Sequence, residues 1–393
     1  MNPSGHRSGE APSAQHKGSP VSDFTGLRIA LVGPLPPPAG GMALQAAQLA
    51  DLLGRDGAEV LFVPTNPPYS PAWAGRVRGL RAVFRLLPYL IALWRACGRA
   101  DVLHLLANSG WSWHLYAAPA LWVGWLRRVP VIVNYRGGEA ASFLARSAVL
   151  VRASMARAAR LVVPSGFLVE VFAAHRMAAQ VVPNIVDRAL FRPSAVADAN
   201  DGERILVARN LEPIYDIATA LRACARLRRE RPQARLIVAG SGPERAALEA
   251  LAAELGIADG VEFTGRIGRD EMAARLRGCR VALNPSRVDN MPNSVLEALS
   301  CGVPVVSTRV GGVSHIVEDG RSALLVPAGD DVAMAEALRR VLSDTTLAYR
   351  LREAGLAAAD AYTWTTVAPR WRAVYESVVW PRRGATQGAG RHA

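Results

Sequence analysis

Residues 284–312 read NPSRVDNMPNSVLEALSCGVPVVSTRVGG. A buried strand, Val281 to Leu283, runs into this stretch and breaks at Pro285. A polar loop follows, then an apolar-periodic segment, Val295, Leu296 and Leu299, that opens at Asn293 or Ser294. Cys301-Gly302 stops that helix, and Val303 to Val306 reads as the next strand. The pattern predicts a β-loop-α-β unit with a helix N-terminus aimed into the loop. Such an end carries unpaired backbone N–H groups and a partial positive charge, so it favours an anion. Asp289 lies in the loop and Glu297 about one turn into the helix, so both carboxylates can face one ligand laid across the helix end. A diphosphate on the N–H groups, with hydroxyls on the two carboxylates, describes a nucleotide sugar.

The run resembles the donor-site motif of retaining GT-B glycosyltransferases of family 4. That motif is an acid, seven other residues and Glu, followed by Ala-x-x-Cys/Ala-Gly-x-Pro-Val-Val and a Gly-Gly turn. Here those positions are Asp289, Glu297, Ala298, Cys301, Gly302, Pro304, Val305, Val306, Gly311 and Gly312. The family's first acid is usually Glu; Asp289 is one methylene shorter. A buried helix of an ordinary α/β domain with two solvated acids is the alternative, and it explains the apolar spacing but not the joint match. The resemblance implies an α/β, GT-B fold: two Rossmann-like doubly wound parallel-sheet domains facing a cleft, with a C-terminal helix crossing back. It also implies that Asp289 holds the transferred sugar, that Glu297 accepts hydrogen bonds from ribose hydroxyls, and that Asn290, Met291, Asn293, Ser294 and Val295 border the donor.

At 393 residues, half of them hydrophobic, the chain is long enough for two domains with sizeable cores. Its net charge is +13, and Lys17 is its only lysine, so the basic side chains are otherwise arginines. A basic excess implies anionic partners. Cys97, Cys224, Cys279 and Cys301 are scattered and form no CxxC pair, which speaks against a zinc site or a disulfide framework and fits a reducing compartment. Residues 1–25 are rich in Gly, Ser, Pro and Ala, lack the apolar core of a signal peptide, and read as a disordered tail. No apolar run reaches the ~18 residues a membrane span needs. The expectation is a cytoplasmic protein, at the inner face of the membrane if it is peripheral.

Leu27 to Gly33 is an all-apolar strand; a Pro/Gly loop ending in Gly40-Gly41, a helix over Met42 to Leu53 and a strand at Val60 to Val63 complete a βαβ opening. In the resembled family this Gly-Gly loop faces the cleft on the acceptor side; a turn needing positive φ is the plain alternative. Residues 73–100 carry six arginines, no acid, and an apolar stripe interrupted by Pro88. That is the pattern of an interfacial helix on anionic lipid, or of a surface helix packed on the first sheet; both can hold together. Strands follow at Asp101 to Leu105 and Val129 to Val133. After the second comes Asn134-Tyr135-Arg136-Gly137-Gly138-Glu139. The family commonly has an active-site His where Arg136 stands. Arg cannot switch charge as His does, but it forks onto carboxylate or phosphate. Arg136 therefore reads as a contact to the donor sugar or an anionic acceptor, or as a salt-bridge partner of Glu139. His104 and His114 are further cleft candidates, each with a structural alternative. Leu161 to Ser165 and Val181 to Asp187 match the family's closing strands of the first domain, with Asn184 at the cleft.

The expected organisation is a first, acceptor-side domain over 26–188, a linker over 189–203, a nucleotide-sugar domain over 204–362, a crossover helix over 363–380 and a loose tail over 381–393. After the strand Ile205 to Ala208, the family places an Arg and, five residues on, a Lys that clamp the diphosphate. Asn210 and Tyr215 occupy those places, with Arg209 one position early. Arg209 then supplies the charge alone, helped by the helix dipole, or donor binding is altered. Gly240-Ser241-Gly242-Pro243 follows another strand; the family carries a Gly-x-Gly-Pro at this place, which implies Gly240 and Gly242 at the donor, while a Gly-x-Gly by itself needs no more than a tight turn. Val261 to Gly265 with Arg266 and Ile267 match the strand and loop that flank the base. Residues 330–358 read as helical.

The function implied is sugar transfer, with retention and without an obligatory metal, from a nucleoside-diphosphate sugar to a hydroxyl of a glycan or lipid-linked acceptor in bacterial envelope or exopolysaccharide synthesis. No Asp-x-Asp metal motif occurs, and no cofactor is expected. Two rivals share the shape: a nucleotide-sugar 2-epimerase, and a non-catalytic nucleotide-sugar-binding partner subunit, motivated by the missing Lys and His. A nucleic-acid binder is disfavoured, because outside 73–100 no basic run is interleaved with aromatics.

Overall fold

The computed structural model describes residues 22–37, 40–67, 80–194 and 202–389. The first sheet comprises β1 (Arg28–Gly33), β2 (Glu59–Pro64), β3 (Val102–Ala107), β4 (Val131–Tyr135), β5 (Arg160–Val163) and β6 (Gln180–Val181), in the order β2-β1-β3-β4-β5-β6. The second comprises β7 (Arg204–Ala208), β8 (Arg235–Ala239), β9 (Val261–Gly265), β10 (Val281–Asn284), β11 (Val305–Thr308) and β12 (Leu324–Val326), in the order β12-β11-β10-β7-β8-β9. Every ladder is parallel. Strands such as β3 are buried along their whole length, which explains their apolar runs.

The helices of the first half are α1 (Gly41–Arg55), α2 (Leu80–Cys97), α3 (Ala118–Leu126), α4 (Ala140–Met155) and α5 (Gly166–Ala173). Those of the second are α6 (Ile217–Glu230), α7 (Arg245–Glu254), α8 (Arg269–Arg277), α9 (Asn293–Ser300), α10 (Asp331–Ser343) and α11 (Thr345–Ala359). A last helix, α12 (Trp364–Ala389), returns to the first sheet: Val367, Trp371, Val374 and Tyr375 are buried among Ile29, Leu31, Leu49 and Leu53. It runs past residue 380, where the sequence suggested an end.

Strand order reverses between β1 and β3 in one sheet and between β7 and β10 in the other. Connections leaving such neighbours diverge to opposite faces and open a crevice at the carboxyl ends of the strands. This places the loops after β1, β7 and β10 around shared space, and those are the loops singled out from sequence.

Several local expectations change. Of residues 1–25, 22–25 are described, and Phe24 is buried, its ring 6.0 Å from that of Trp364; the remainder lies outside the described residues. In the expected linker, Phe191 packs in the core of the second half beside Val295 and Leu296, while 195–201 lie outside the described residues. The segment 330–358 divides in two because Asp344 takes an extended conformation and its carboxylate accepts the N–H of Leu347 at 2.9 Å, capping α11. The aromatic run after β3 forms a π-helical turn over Trp113–Ala117 before α3. Residues 73–79 lie outside the described residues; α2 carries residues 80–97 of that segment, with Pro88 inside it. Among the described residues no helix is long and apolar enough to cross a membrane.

Candidate active site between the two sheets

A cleft of about 1300 Å³ lies between the carboxyl ends of the sheets. The first half lines it with Gly40, Gly41, Arg85, Asn108, Arg136 and Asn184; the second with Arg209, Asn210, Tyr215, Gly240, Arg266, Ile267, Asp289 to Ser294, and Glu297. The N-terminus of α9 opens into this space. Pro292 occupies the cap position without a side-chain cap, and the N–H groups of Asn293 and Ser294 make no hydrogen bond among the described residues. The helix end is thus free to receive acceptor atoms from a ligand.

The loop that delivers Asp289 and Asn290 rests on the Gly311-Gly312 turn. Gly312 N–H donates to the Asp289 carbonyl at 2.9 Å. A Cβ on Gly312 would overlap the Asn290 carbonyl oxygen, and one on Gly311, whose φ is +49°, would overlap that of Asp289. Only hydrogen fits at either place, so the Gly-Gly pair positions the acid rather than merely turning the chain. The Gly-x-Gly after β8 works similarly. A Cβ on Gly240 would strike the carbonyl of Arg209, whose N–H donates to Ala239 C=O at 3.1 Å. Gly240 borders the cleft, but Gly242 is packed behind it against Leu211.

Asp289 is buried. Burial raises its carboxyl, opposed by Arg209, the Ser286 hydroxyl and the backbone N–H groups of Asn290 and Met291. Arg209 Nη2 forms an ion pair with Asp289 Oδ2, while its Nε donates to Asn284 Oδ1 at 2.9 Å and its guanidinium lies 5.3 Å from the Tyr215 ring centre. The charge expected for the diphosphate is therefore met here by the acid expected for the sugar. The carboxylate of Glu297, one turn into α9, makes no hydrogen bond to protein among the described residues. Burial pushes its carboxyl up to about 7, against the pull of Arg269 and Arg209. It is poised to change protonation near neutral pH.

Arg136 forms no salt bridge with Glu139, which is exposed. Its Nε donates to Asn134 Oδ1 at 3.1 Å and its Nη1 to Asn184 Oδ1. Asn184 Nδ2 in turn donates to Met291 C=O at 3.0 Å and to Asn293 Oδ1 at 2.7 Å, tying the two halves together at the head of α9. Asn290 Nδ2 reaches back to the carbonyls of Arg136 and Gly137.

His104 does not line the cleft. It is fully buried, with Nδ1 2.7 Å from Tyr375 Oη and Nε2 3.0 Å from Asn134 Nδ2, and burial lowers it to about 3. Desolvation without a carboxylate keeps the ring neutral. Val295 is likewise a core residue, buried with Leu296 and Leu299. His114 packs against Trp111 and Phe143 instead of the cleft. Gly40 and Gly41 border the cleft without positive φ; nothing lies within 4 Å of a Cβ on Gly40, so their smallness leaves room. Sequence reading missed Asn134 and the interdomain role of Asn290. The signal for Asn134 was available: it is a polar residue ending an otherwise apolar buried strand.

Residues 192–357 match the family model of glycosyl transferases group 1, and residues 40–185 that of a glycosyl transferase 4-like domain. The chain joins these two glycosyltransferase domains. A D-inositol 3-phosphate glycosyltransferase of Acidothermus cellulolyticus is 34% identical over 236 residues, 56% of this chain and 52% of that protein. An MMP alpha-(1->4)-mannosyltransferase of Mycolicibacterium hassiacum is 33% identical over 202 residues, 51% and 48% of the two chains. The chain spans about half the length of the curated relatives it matches. Among solved structures, sucrose-phosphate synthase from Thermosynechococcus elongatus superposes with a TM-score of 0.73 at 23% identity, covering 89% of this chain and 98% of the other. Anabaena HepE in complex with UDP gives 0.70 at 17% identity, over 89% and 100%. These likenesses establish the fold: two Rossmann-like domains of GT-B type.

Proposed function

We propose that this chain moves a sugar from a nucleoside-diphosphate sugar to a hydroxyl of a glycan or lipid-linked acceptor, with retention of configuration and without an obligatory metal, in bacterial envelope or exopolysaccharide synthesis. The observation that carries this reading is the open N-terminus of α9, flanked by Asp289 and Glu297 in the cleft. As the glycosidic bond breaks, negative charge builds on the diphosphate. The N–H groups of Asn293 and Ser294 are fixed where that charge develops, and fixed dipoles lose nothing to reorganisation. Arg209 adds its charge once Asp289 turns to the sugar hydroxyls. Glu297 accepts from the ribose. Arg266 and Ile267 border the base, Asn210 and Gly240 the phosphates. The names of the relatives and of the UDP-bound fold neighbour support a nucleotide-sugar donor and make UDP-sugars the first probes.

The expected membrane contact through 73–100 belongs to a wider face. Leu87, Ile91 and Trp94 on α2 and Trp122, Trp125 and Leu126 on α3 are exposed. Arg127 lies 4.7 Å from the Trp94 ring centre and Arg157 3.3 Å from that of Trp122. From Val60 to Val169 the chain has thirteen arginines and two acids, Asp101 and Glu139. A lipid-linked acceptor suits such a face.

The test is a thermal-shift panel of UDP- and GDP-sugars, then transfer assays on the hit with the anomer of the product read by NMR. Glu297→Ala is expected to lose about 2 kcal/mol of transition-state binding, roughly 30-fold in kcat/KM. Unchanged turnover in that variant removes Glu297 from the site. A non-catalytic donor-binding subunit is the second reading, favoured by the Arg209–Asp289 pair and the missing lysine; it requires donor binding with neither transfer nor hydrolysis.

A further inference from the structure

Arg136 is a cation in the cleft wall with no anion of its own. Its two protein partners through the side chain, Asn134 Oδ1 and Asn184 Oδ1, are neutral amides. No carboxylate pairs with it among the described residues. A guanidinium has five N–H groups; two are used by these amides, and Arg136 lines the cleft. Removing a charge from water is costly unless an opposite charge compensates it. Burial lowers Arg136 to about 10, which leaves it charged at neutral pH.

The side chain is also held still. Asn134 Nδ2 donates to His104 Nε2, so the neutral ring carries its proton on Nδ1 and gives it to Tyr375 Oη. That turns the Asn134 oxygen toward Arg136. On the other side, Asn184 fixes the guanidinium against Asn293 and Met291. A fixed, half-buried, uncompensated cation at a substrate cleft is complementary to an anion the substrate brings. The diphosphate already has a cradle in the head of α9 and Arg209. Arg136 stands on the opposite lip, its own carbonyl bonded by Asn290, the neighbour of Asp289.

We propose that Arg136 receives a second oxyanion, a carboxylate or phosphate borne by the transferred sugar or by the acceptor, and so selects an acidic substrate. This rests on the donor-cleft reading above. Asn134, His104 and Tyr375 are positioning residues for it.

The experiment is calorimetric titration of the full chain. One arm compares UDP-glucuronate with UDP-glucose, placing the anion on the donor. The other, with UDP present, compares glucose 6-phosphate with glucose, placing it on the acceptor. One anionic probe is expected to bind about tenfold or more tightly than its neutral twin. Arg136→Gln should abolish that preference with UDP binding retained, and Arg136→Lys should keep part of it. Melting curves show that each variant folds. Equal binding of anionic and neutral probes, or a preference that survives Arg136→Gln, overturns the proposal. Failure of UDP to bind sinks the donor reading instead; direct titration of glucuronate and glucose 6-phosphate against wild type and Arg136→Gln then still decides the role of Arg136.

Discussion

Asp289 and Arg209 come from loops eighty residues apart and meet as an ion pair whose side chains are each 11% exposed. The pair couples the strand-end loops of β7 and β10 at the point where strand order reverses. Its geometry is completed by Asn284 and Tyr215 on the Arg209 side, so Arg209 stays buried if the acid is removed. Asp289→Ala should therefore lose about 3 kcal/mol of stability, because it leaves a desolvated cation. Arg209→Met combined with Asp289→Ala should recover part of that loss. Urea denaturation of the two variants is the measurement, and a loss under ~1 kcal/mol in Asp289→Ala shows that water reaches the pair.

Gly312→Ala tests whether the Gly-Gly turn positions the acid. The added methyl has nowhere to go without displacing the Asn290 carbonyl. Overpacking of this kind typically costs ~1–3 kcal/mol. Because the displaced backbone carries Asp289 and Asn290, donor binding should fall further than stability does. The same substitution at Gly40, where a Cβ meets nothing within 4 Å, should leave the fold's melting temperature within about 2 °C.

The sheets and the head of α9 were legible because their signals are local: apolar runs, strand-to-helix punctuation, a helix start after Pro292. The Gly-Gly and Gly-x-Gly pairs were legible as motifs, yet their reason was not, since it lies in carbonyls brought from elsewhere in the chain. The polar line from Tyr375 through His104 and Asn134 to Arg136 was out of reach. It joins α12 to β3 and β4, and no spacing along the chain reveals a contact made 271 residues apart. Sequence left His104 open between a cleft residue and a structural one; the structure turns its ring under α12, where desolvation keeps it neutral. Arg209 lines the cleft, but its partner could not be guessed from the two motifs read separately.

Glu297 makes a pH prediction with a definite sign. Its folded-state value, about 7, lies above the ordinary carboxyl value of 4.5. Between those values the folded chain holds a proton that the unfolded chain has lost, so stability falls as pH rises from about 4.5 to 7 and levels beyond. Glu297→Gln cannot titrate. Relative to wild type it should gain about 1–2 kcal/mol between pH 4.5 and 7.5, after allowance for solvent at the cleft. His104 has the opposite linkage, but it is common to both proteins and cancels in the difference. Denaturation at several pH values reads this directly, and parallel curves for the two proteins would refute the perturbed carboxyl.

The α2–α3 face makes the last prediction. Trp94, Trp122 and Trp125 are partly exposed, and Arg127 and Arg157 lie against their rings. Stacking of this kind keeps a guanidinium beside an apolar plane, the arrangement suited to the headgroup level, where one end meets phosphate and the other acyl chain. Binding to vesicles should need both features. Vesicles containing anionic phosphatidylglycerol should be bound at low salt and released as salt rises, because each arginine near the surface contributes roughly 1 kcal/mol and is screened within a Debye length. Trp94→Ala with Trp125→Ala should weaken binding at every salt concentration, since it removes apolar area. Arg127→Gln with Arg128→Gln should instead flatten the salt dependence. UDP affinity should be unchanged in all four substitutions, which lie on α2, on α3 and in the turn that follows it, and not at the carboxyl ends of the strands. Flotation with neutral phosphatidylcholine vesicles as the control separates the outcomes: equal binding to both vesicle types, or to neither, would show that this face meets something other than an anionic bilayer.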